Sequence, residues 1–145
     1  MSRAFFDTSA LVPVVTEQLG NHSAAHARFV RELNESTRPC CSTHTLAECY
    51  ATLTALPLPQ RISGPEAARL IEANFQARLE IIDLSQDDYA KAIRLCADLG
   101  RVSGQIYDAL HLSAALKSKC THLYTYNLKH FQELSVPEKI RISAP

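Results

Sequence analysis

The chain has no charge imbalance: 15 Lys and Arg stand against 15 Asp and Glu in 145 residues. No global field therefore draws it onto nucleic acid, and any polyanion it handles must be held by a local patch or a metal. It also has no apolar run near the ~18 residues of a membrane span, and its N-terminus lacks a basic segment followed by an apolar signal core. These absences predict a cytoplasmic protein with no membrane partner. Cys40, Cys41, Cys49, Cys96 and Cys120 are odd in number and include no Cys-x-x-Cys pair, which fits neither a disulfide framework nor a structural zinc site. They are expected to be reduced core residues. No internal repeat or low-complexity tract is visible.

What is present is an ordinary globular composition, 46% hydrophobic and 21% charged, in a length that suits one domain over residues 1–145. Its centre is the stretch 106–116, Ile-Tyr-Asp-Ala-Leu-His-Leu-Ser-Ala-Ala-Leu, which has no Pro or Gly and spreads its apolar residues around the helical wheel. A helix buried on more than one face is predicted, with Asp108 as the one acid in its first turn. Residues 3–7 read as a short buried strand ending in Asp7, followed by a brief helix stopped near Pro13. Asn21 can cap a helix to about Glu35, with Ala24, Ala25, Phe29, Val30 and Leu33 as its apolar stripe.

Residues 39–42 are a candidate second strand, and Thr45-Leu-Ala-Glu48 has the pattern of a capping box opening the next helix. Ser63-Gly-Pro-Glu66 starts another helix to about Phe75, and residues 79–84 form a strand. Ser85 caps a helix with Tyr89, Ile93, Cys96 and Leu99 at helical spacing, ended by Gly100. Residues 122–125 and 139–143 are further strands, with a helical turn from Asn127 to Leu134 between them. Strands alternating with helices predict an α/β fold with a mostly parallel central sheet covered on both faces.

In such a sheet, ligands gather outside the carboxyl ends of the strands. Asp7 and Asn127 each follow a predicted strand, while Glu48 and Asp108 are expected in first turns of helices that start at the same edge. If Asp7, Glu48 and Asp108 meet, carboxylates ~4 Å apart repel by about 4 kcal/mol per pair at an effective dielectric near 20, so the site wants a cation. All-oxygen ligation suits Mg2+ or Mn2+, and the matching chemistry is phosphodiester hydrolysis by a metal-activated water.

Four ordered segments carry a resemblance: Phe-Phe-Asp7-Thr-Ser-Ala, Ser42-Thr-His-Thr-Leu-Ala-Glu48, Ile-Tyr-Asp108-Ala-Leu-His-Leu and Leu-Tyr-Thr-Tyr-Asn127-Leu-Lys-His-Phe131. They resemble the acidic motifs of PIN-domain ribonucleases, and of the VapC toxins of bacterial toxin–antitoxin pairs most of all. The resemblance implies a three-layer α/β/α PIN-like domain and a Mg2+-dependent endoribonuclease, with Mn2+ as a possible substitute. It also implies RNA as substrate, a homodimer, and neutralisation by a VapB-type antitoxin whose C-terminal segment enters the acidic cleft. Carried over by residue, Asp7, Glu48 and Asp108 are the metal-binding catalytic carboxylates. Ser9 and Thr125 match small hydroxyl positions that orient a metal-bound water. Asn127 stands where many family members have a fourth acid; its carbonyl oxygen can still ligate, with one negative charge fewer.

Plainer readings stand beside these. A helix dipole accounts for Asp108, and the capping box for Glu48. Lys117, Lys119, Lys129 and His130 gather near the end of the central helix and after Asn127, either as a solvated face or as an RNA phosphate contact. His22 and His26 stand four apart without a third ligand and read as a solvated helix face, and His44 and His111 as hydrogen-bonded structural histidines. Two other functions compete. One is an aspartyl-phosphate phosphatase using Asp7, which has Ser9 where a second aspartate is expected. The other is a catalytically weak PIN-like module that binds RNA or antitoxin.

Overall fold

The computed structural model describes residues 2–35, 37–134 and 136–145. Strand β1 (Ala4–Phe6) shows how two cores arise from one short segment. Successive side chains of a strand point to opposite faces. Ala4 and Phe6 enter a cluster with Phe29, Cys41, Cys49, Leu53 and Phe75, while Phe5 enters another with Cys40, Cys96, Leu110, Leu112, Leu123 and Phe131. Cys40 and Cys41 of β2 (Cys40–Ser42) divide between the faces in the same way. All five cysteines are free and buried. The strand residues are therefore apolar in both registers, as a sheet covered on both faces requires.

The remaining strands are β3 (Glu80–Ile82), β4 (His122–Tyr124) and β5 (Arg141–Ser143). The five form one sheet in the order β3-β2-β1-β4-β5, and every pairing is parallel. Helices α1 (Thr8–Leu11), α2 (His22–Asn34), α3 (Thr43–Ala55) and α4 (Gly64–Ile71) supply the cluster around Phe6. Helices α5 (Gln86–Asp98), α6 (Gln105–Lys117) and α7 (Leu128–Gln132) supply the cluster around Phe5. The result is the three-layer α/β/α arrangement. Chain order runs outward from β1 to β3 on one side and from β4 to β5 on the other, so the topological switch lies between β1 and β4. In open parallel sheets the ligand crevice lies at such a switch, here beyond the carboxyl ends of those two strands.

Several local expectations need correction. Helix α3 begins two residues before Thr45: Ser42 is its N-cap, its hydroxyl accepting the Thr45 N–H while Thr45 Oγ1 accepts the Ser42 N–H. Thr45 closes the capping box, and Glu48 lies a turn further on with its carboxylate unused by the cap. The brief first helix does not stop at Pro13 but continues as a 3-10 turn over Val12–Val15, where proline sits early enough to lack no needed donor. Residues Glu72–Gln76 extend α4 as a π-turn that buries Phe75.

On α2, Ala24 is exposed and Glu32 is buried instead, accepting a hydrogen bond from the Tyr124 hydroxyl at 3.0 Å. On α5, Tyr89 and Ile93 face outward and Ala92 and Cys96 face the core. Helices α5 and α6 each end in a Schellman turn. Gly100 at φ +68° closes α5 through Arg101 N–H to Cys96 C=O, and Lys119 at φ +59° closes α6 through Cys120 N–H to Ala115 C=O. Among the described residues no helix is long and apolar enough to cross a membrane.

Candidate active site

Asp7 leaves β1 as the N-cap of α1 and is 1% exposed. Its Oδ1 accepts the Ala10 N–H at 3.0 Å and the Ser9 hydroxyl at 2.7 Å, and its Oδ2 accepts the Thr125 hydroxyl at 2.5 Å. Ser9 Oγ in turn accepts the Tyr126 N–H, and Thr125 Oγ1 the Asn127 N–H. The ends of β1 and β4 are thus tied together through one carboxylate. Both hydroxyl protons are spent on Asp7, so a water at Ser9 or Thr125 could only donate to their remaining lone pairs. Burial raises the Asp7 pKa above its ordinary value, against the pull of the nearby His111 and of these hydrogen bonds.

Glu48 projects from the second turn of α3 toward α6. Its Oε2 lies 2.9 Å from His44 Nε2 and its Oε1 3.5 Å from His111 Nε2. Burial disfavours its charge, but the bonds from His111 and His44 prevail and hold the carboxyl well below its usual range. His111, 1% exposed, also meets Thr45 Oγ1 through Nδ1 at 3.3 Å. Burial opposes its charging, yet the Glu48 bond and the charges of Asp7, Glu48 and Asp108 raise its pKa. Both histidines are hydrogen-bonded, and both are tied to the acidic site.

Asp108 lies in the first turn of α6, with Oδ2 3.1 Å from His130 Nδ1. Its pKa is raised by burial and by the charges of Asp7 and Glu48, against attraction from His130 and His111. The three acids therefore share one electrostatic neighbourhood centred on His111. Glu48, Asp108, Asn127 and His130 line a solvent-open cleft of about 500 Å³, rimmed by Val102 and Tyr107. Asn127 precedes α7 and its side chain makes no capping bond. Tyr107 is 47% exposed and stacks on His44 with centroids 4.9 Å apart. The sequence reading passed over Tyr107; its position one residue before Asp108 was the available signal.

Lys129 is exposed on α7 beside this cleft, next to His130. Lys117 and Lys119 do not join them. Nine residues separate Asp108 from Lys117 on one helix, about 13 Å of axial rise. Lys117 Nζ is held at 2.8 Å by both Asp88 Oδ2 and the Asp83 carbonyl, and Lys119 occupies the Schellman turn beside Ser2, Arg3 and Arg38 at the opposite end of the sheet. Charge clustering in sequence misleads because α6 carries Lys117 onto Asp83 and Asp88 and Lys119 to the amino ends of the strands, both away from Asp108. His22 and His26 lie on α2, far from the acids in the fold, with His22 Nδ1 against the Pro13 carbonyl.

Among the described residues, Glu48 and Asp108 form salt bridges only with histidines, and Asp7 forms none. The Thr8 hydroxyl is buried beside Glu48 and favours its ionised form. An oxygen-rich donor set short of positive charge fits a divalent cation.

A three-layer parallel fold with its ligand crevice at the β1/β4 switch defines a class. The PIN domain model matches residues 4–136, and the chain belongs to the PIN domain family. It is 32% identical over 113 residues to Ribonuclease VapC27 of Mycobacterium tuberculosis, across 78% of this chain and 77% of that protein. Among solved structures it is similar to VapC20 of M. tuberculosis, a Sarcin-Ricin loop cleaving toxin (TM-score 0.73, 14% identity, 89% of this chain and 93% of that one). It is also similar to VapBC2 of Rickettsia felis bound to a promoter DNA fragment (TM-score 0.69, 18% identity, 99% and 98%).

Proposed function

We propose that this chain is a Mg2+-dependent endoribonuclease toxin of a toxin–antitoxin pair, acting in the cytoplasm on RNA phosphodiester bonds. The observation that carries the reading is the convergence of Glu48 and Asp108 at an open cleft with Asp7 buried within range of their charges, where among the described residues only histidines pair with the two cleft acids. These carboxylates would hold the ion. Bound magnesium, or manganese in its place, supplies an activated water and neutralises charge on the phosphate and leaving oxygen.

The chain's own contribution is positioning. Ser9, Ala10 and Thr125 hold Asp7 in one rotamer, so the ligand is set before substrate arrives. Glu48 stays ionised because His44 and His111 donate to it. Asp108 and Asn127 line the cleft, where a carboxamide keeps a ligating oxygen but adds no charge. One tightly held ion is therefore the expected complement. The exposed Tyr107 ring offers a stacking surface to an unpaired base, and Lys129 a phosphate contact. Likeness to the R. felis VapBC2 structure supports a VapB-type antitoxin as partner, and the toxin itself is proposed as a homodimer.

The test is cleavage of transfer and ribosomal RNA fragments by antitoxin-free protein with Mg2+, with Mn2+ and with chelator, beside Asp108→Ala. Cutting that needs the metal and Asp108 is expected. RNA binding without cutting in any metal would favour the non-catalytic module, the second reading that the neutral Asn127 keeps in play. Turnover of small phosphate esters would favour the phosphatase.

A further inference from the structure

His44 and Glu48 stand four residues apart on one face of α3, and His111 reaches them from α6. Their donor atoms all lie within 4.8 Å of one another. The imidazoles meet different oxygens of the carboxylate, His44 Nε2 at 2.9 Å from Oε2 and His111 Nε2 at 3.5 Å from Oε1, each near the roughly 3.4 Å that separates ligands around a tetrahedral ion with 2.0–2.1 Å bonds. Two histidines and one glutamate are a ligand set that zinc accepts with a fourth position left open. Here that position faces the cleft, because Glu48 lines it.

The outer contacts suit the same purpose. Thr45 Oγ1 accepts the Ser42 N–H and lies 3.3 Å from His111 Nδ1, so an Nδ1–H bond to the threonine would keep the ring oriented once a metal displaces the Nε2 proton that otherwise serves Glu48. The Tyr107 ring stacked on His44 holds that imidazole in place. Imidazole nitrogen favours zinc over magnesium, which takes oxygen.

We propose that His44, Glu48 and His111 form a binding site for a borderline divalent transition-metal ion, zinc first, which takes Glu48 out of the neighbouring carboxylate site and so restrains the nuclease. The site stands on its own geometry; the restraint rests on the nuclease reading above.

The experiment is a zinc titration of chelator-stripped protein against a chromophoric chelator, with cobalt(II) substitution as a second readout. His44→Ala, His44→Gln and Asp108→Asn are compared, each checked for folding by circular dichroism. One zinc per chain is expected, with the strong visible absorption of tetrahedral, nitrogen-ligated cobalt. Both His44 variants should lose well over ~100-fold in affinity, beyond the 10–100-fold range of outer-shell changes, and Asp108→Asn should keep it. Zinc held equally by the His44 variants but lost from Asp108→Asn would place the ion among the carboxylates and overturn the site, as would no zinc bound by the unaltered chain. None of these readouts uses RNA. Metal-free protein that fails to cut RNA with Mg2+ would sink the nuclease reading and leave the site intact. Zinc-loaded protein cutting as fast as metal-free protein would overturn the restraint alone.

Discussion

Asp108→Asn should stabilise the metal-free protein while removing its activity. Asp108 is 8% exposed and feels the charges of Asp7 and Glu48. A like charge about 5 Å away costs about 3 kcal/mol at an effective dielectric near 20. Against this stand the attraction of His111 and that of His130, whose side chain is 51% exposed, so that its screened pairing is worth about 0.2–1 kcal/mol. Since burial and repulsion prevail in raising the Asp108 pKa, the ionised group is a net cost to the fold. Removing it should yield about 1 kcal/mol at neutral pH, a rise in Tm of about 4 °C for a chain of this size.

The pH dependence follows from the sign of the shift. With the native pKa above the unfolded value of about 3.9, the native state binds a proton first, so the penalty is complete above the native pKa and fades as pH falls through it. The gap between variant and wild type should shrink from pH 7 toward pH 4. Divalent metal should reverse the order, because ten times its Kd adds about 1.4 kcal/mol to a protein that binds it. Thermal melts in chelator and in metal, across that range, make the assay. An asparagine variant less stable in chelator, or a gap independent of pH, would refute the account of Asp108 as one of a set of unneutralised acids.

Asn127→Asp should restore a fourth charge at the cleft and raise the number of Mn2+ ions bound, read by equilibrium dialysis; an unchanged stoichiometry would remove Asn127 from the metal's reach. Lys129→Ala should weaken RNA binding a few-fold and lower the salt slope by about 1, whereas Lys117→Ala should leave both unchanged. Lys117 holds Asp88, whose pKa it lowers to about 2. Its loss should cost only about 0.2–1 kcal/mol of stability, a cost that fades as pH falls through the Asp88 carboxyl range.

The sequence alone carried the element types, because periodicity and caps are local. Ser85, Gly100 and the apolar run of α6 mark their helix boundaries through contacts with near neighbours. It carried the identity of the candidate acids as well, since Asp7 and Glu48 belong to short motifs and Asp108 interrupts an apolar helix. Where two local answers were close, it chose wrongly. Ser42 and Thr45 can each cap a helix, and only the position of β2 decided for Ser42, which released Glu48 from the cap. Tyr89 and Ile93 share helical spacing with Cys96, and only packing against α6 turned the Ala92 face inward.

Long-range placement belonged to the tertiary structure. The strand order set β4 beside β1, and this brought Thr125 onto Asp7 across 118 residues of chain. The packing of α6 against α3 brought His111 onto Glu48, and the length of α6 carried Lys117 away from Asp108. Spacing along a chain specifies which face of an element a residue occupies; which elements then meet depends on the burial of both faces of the sheet at once.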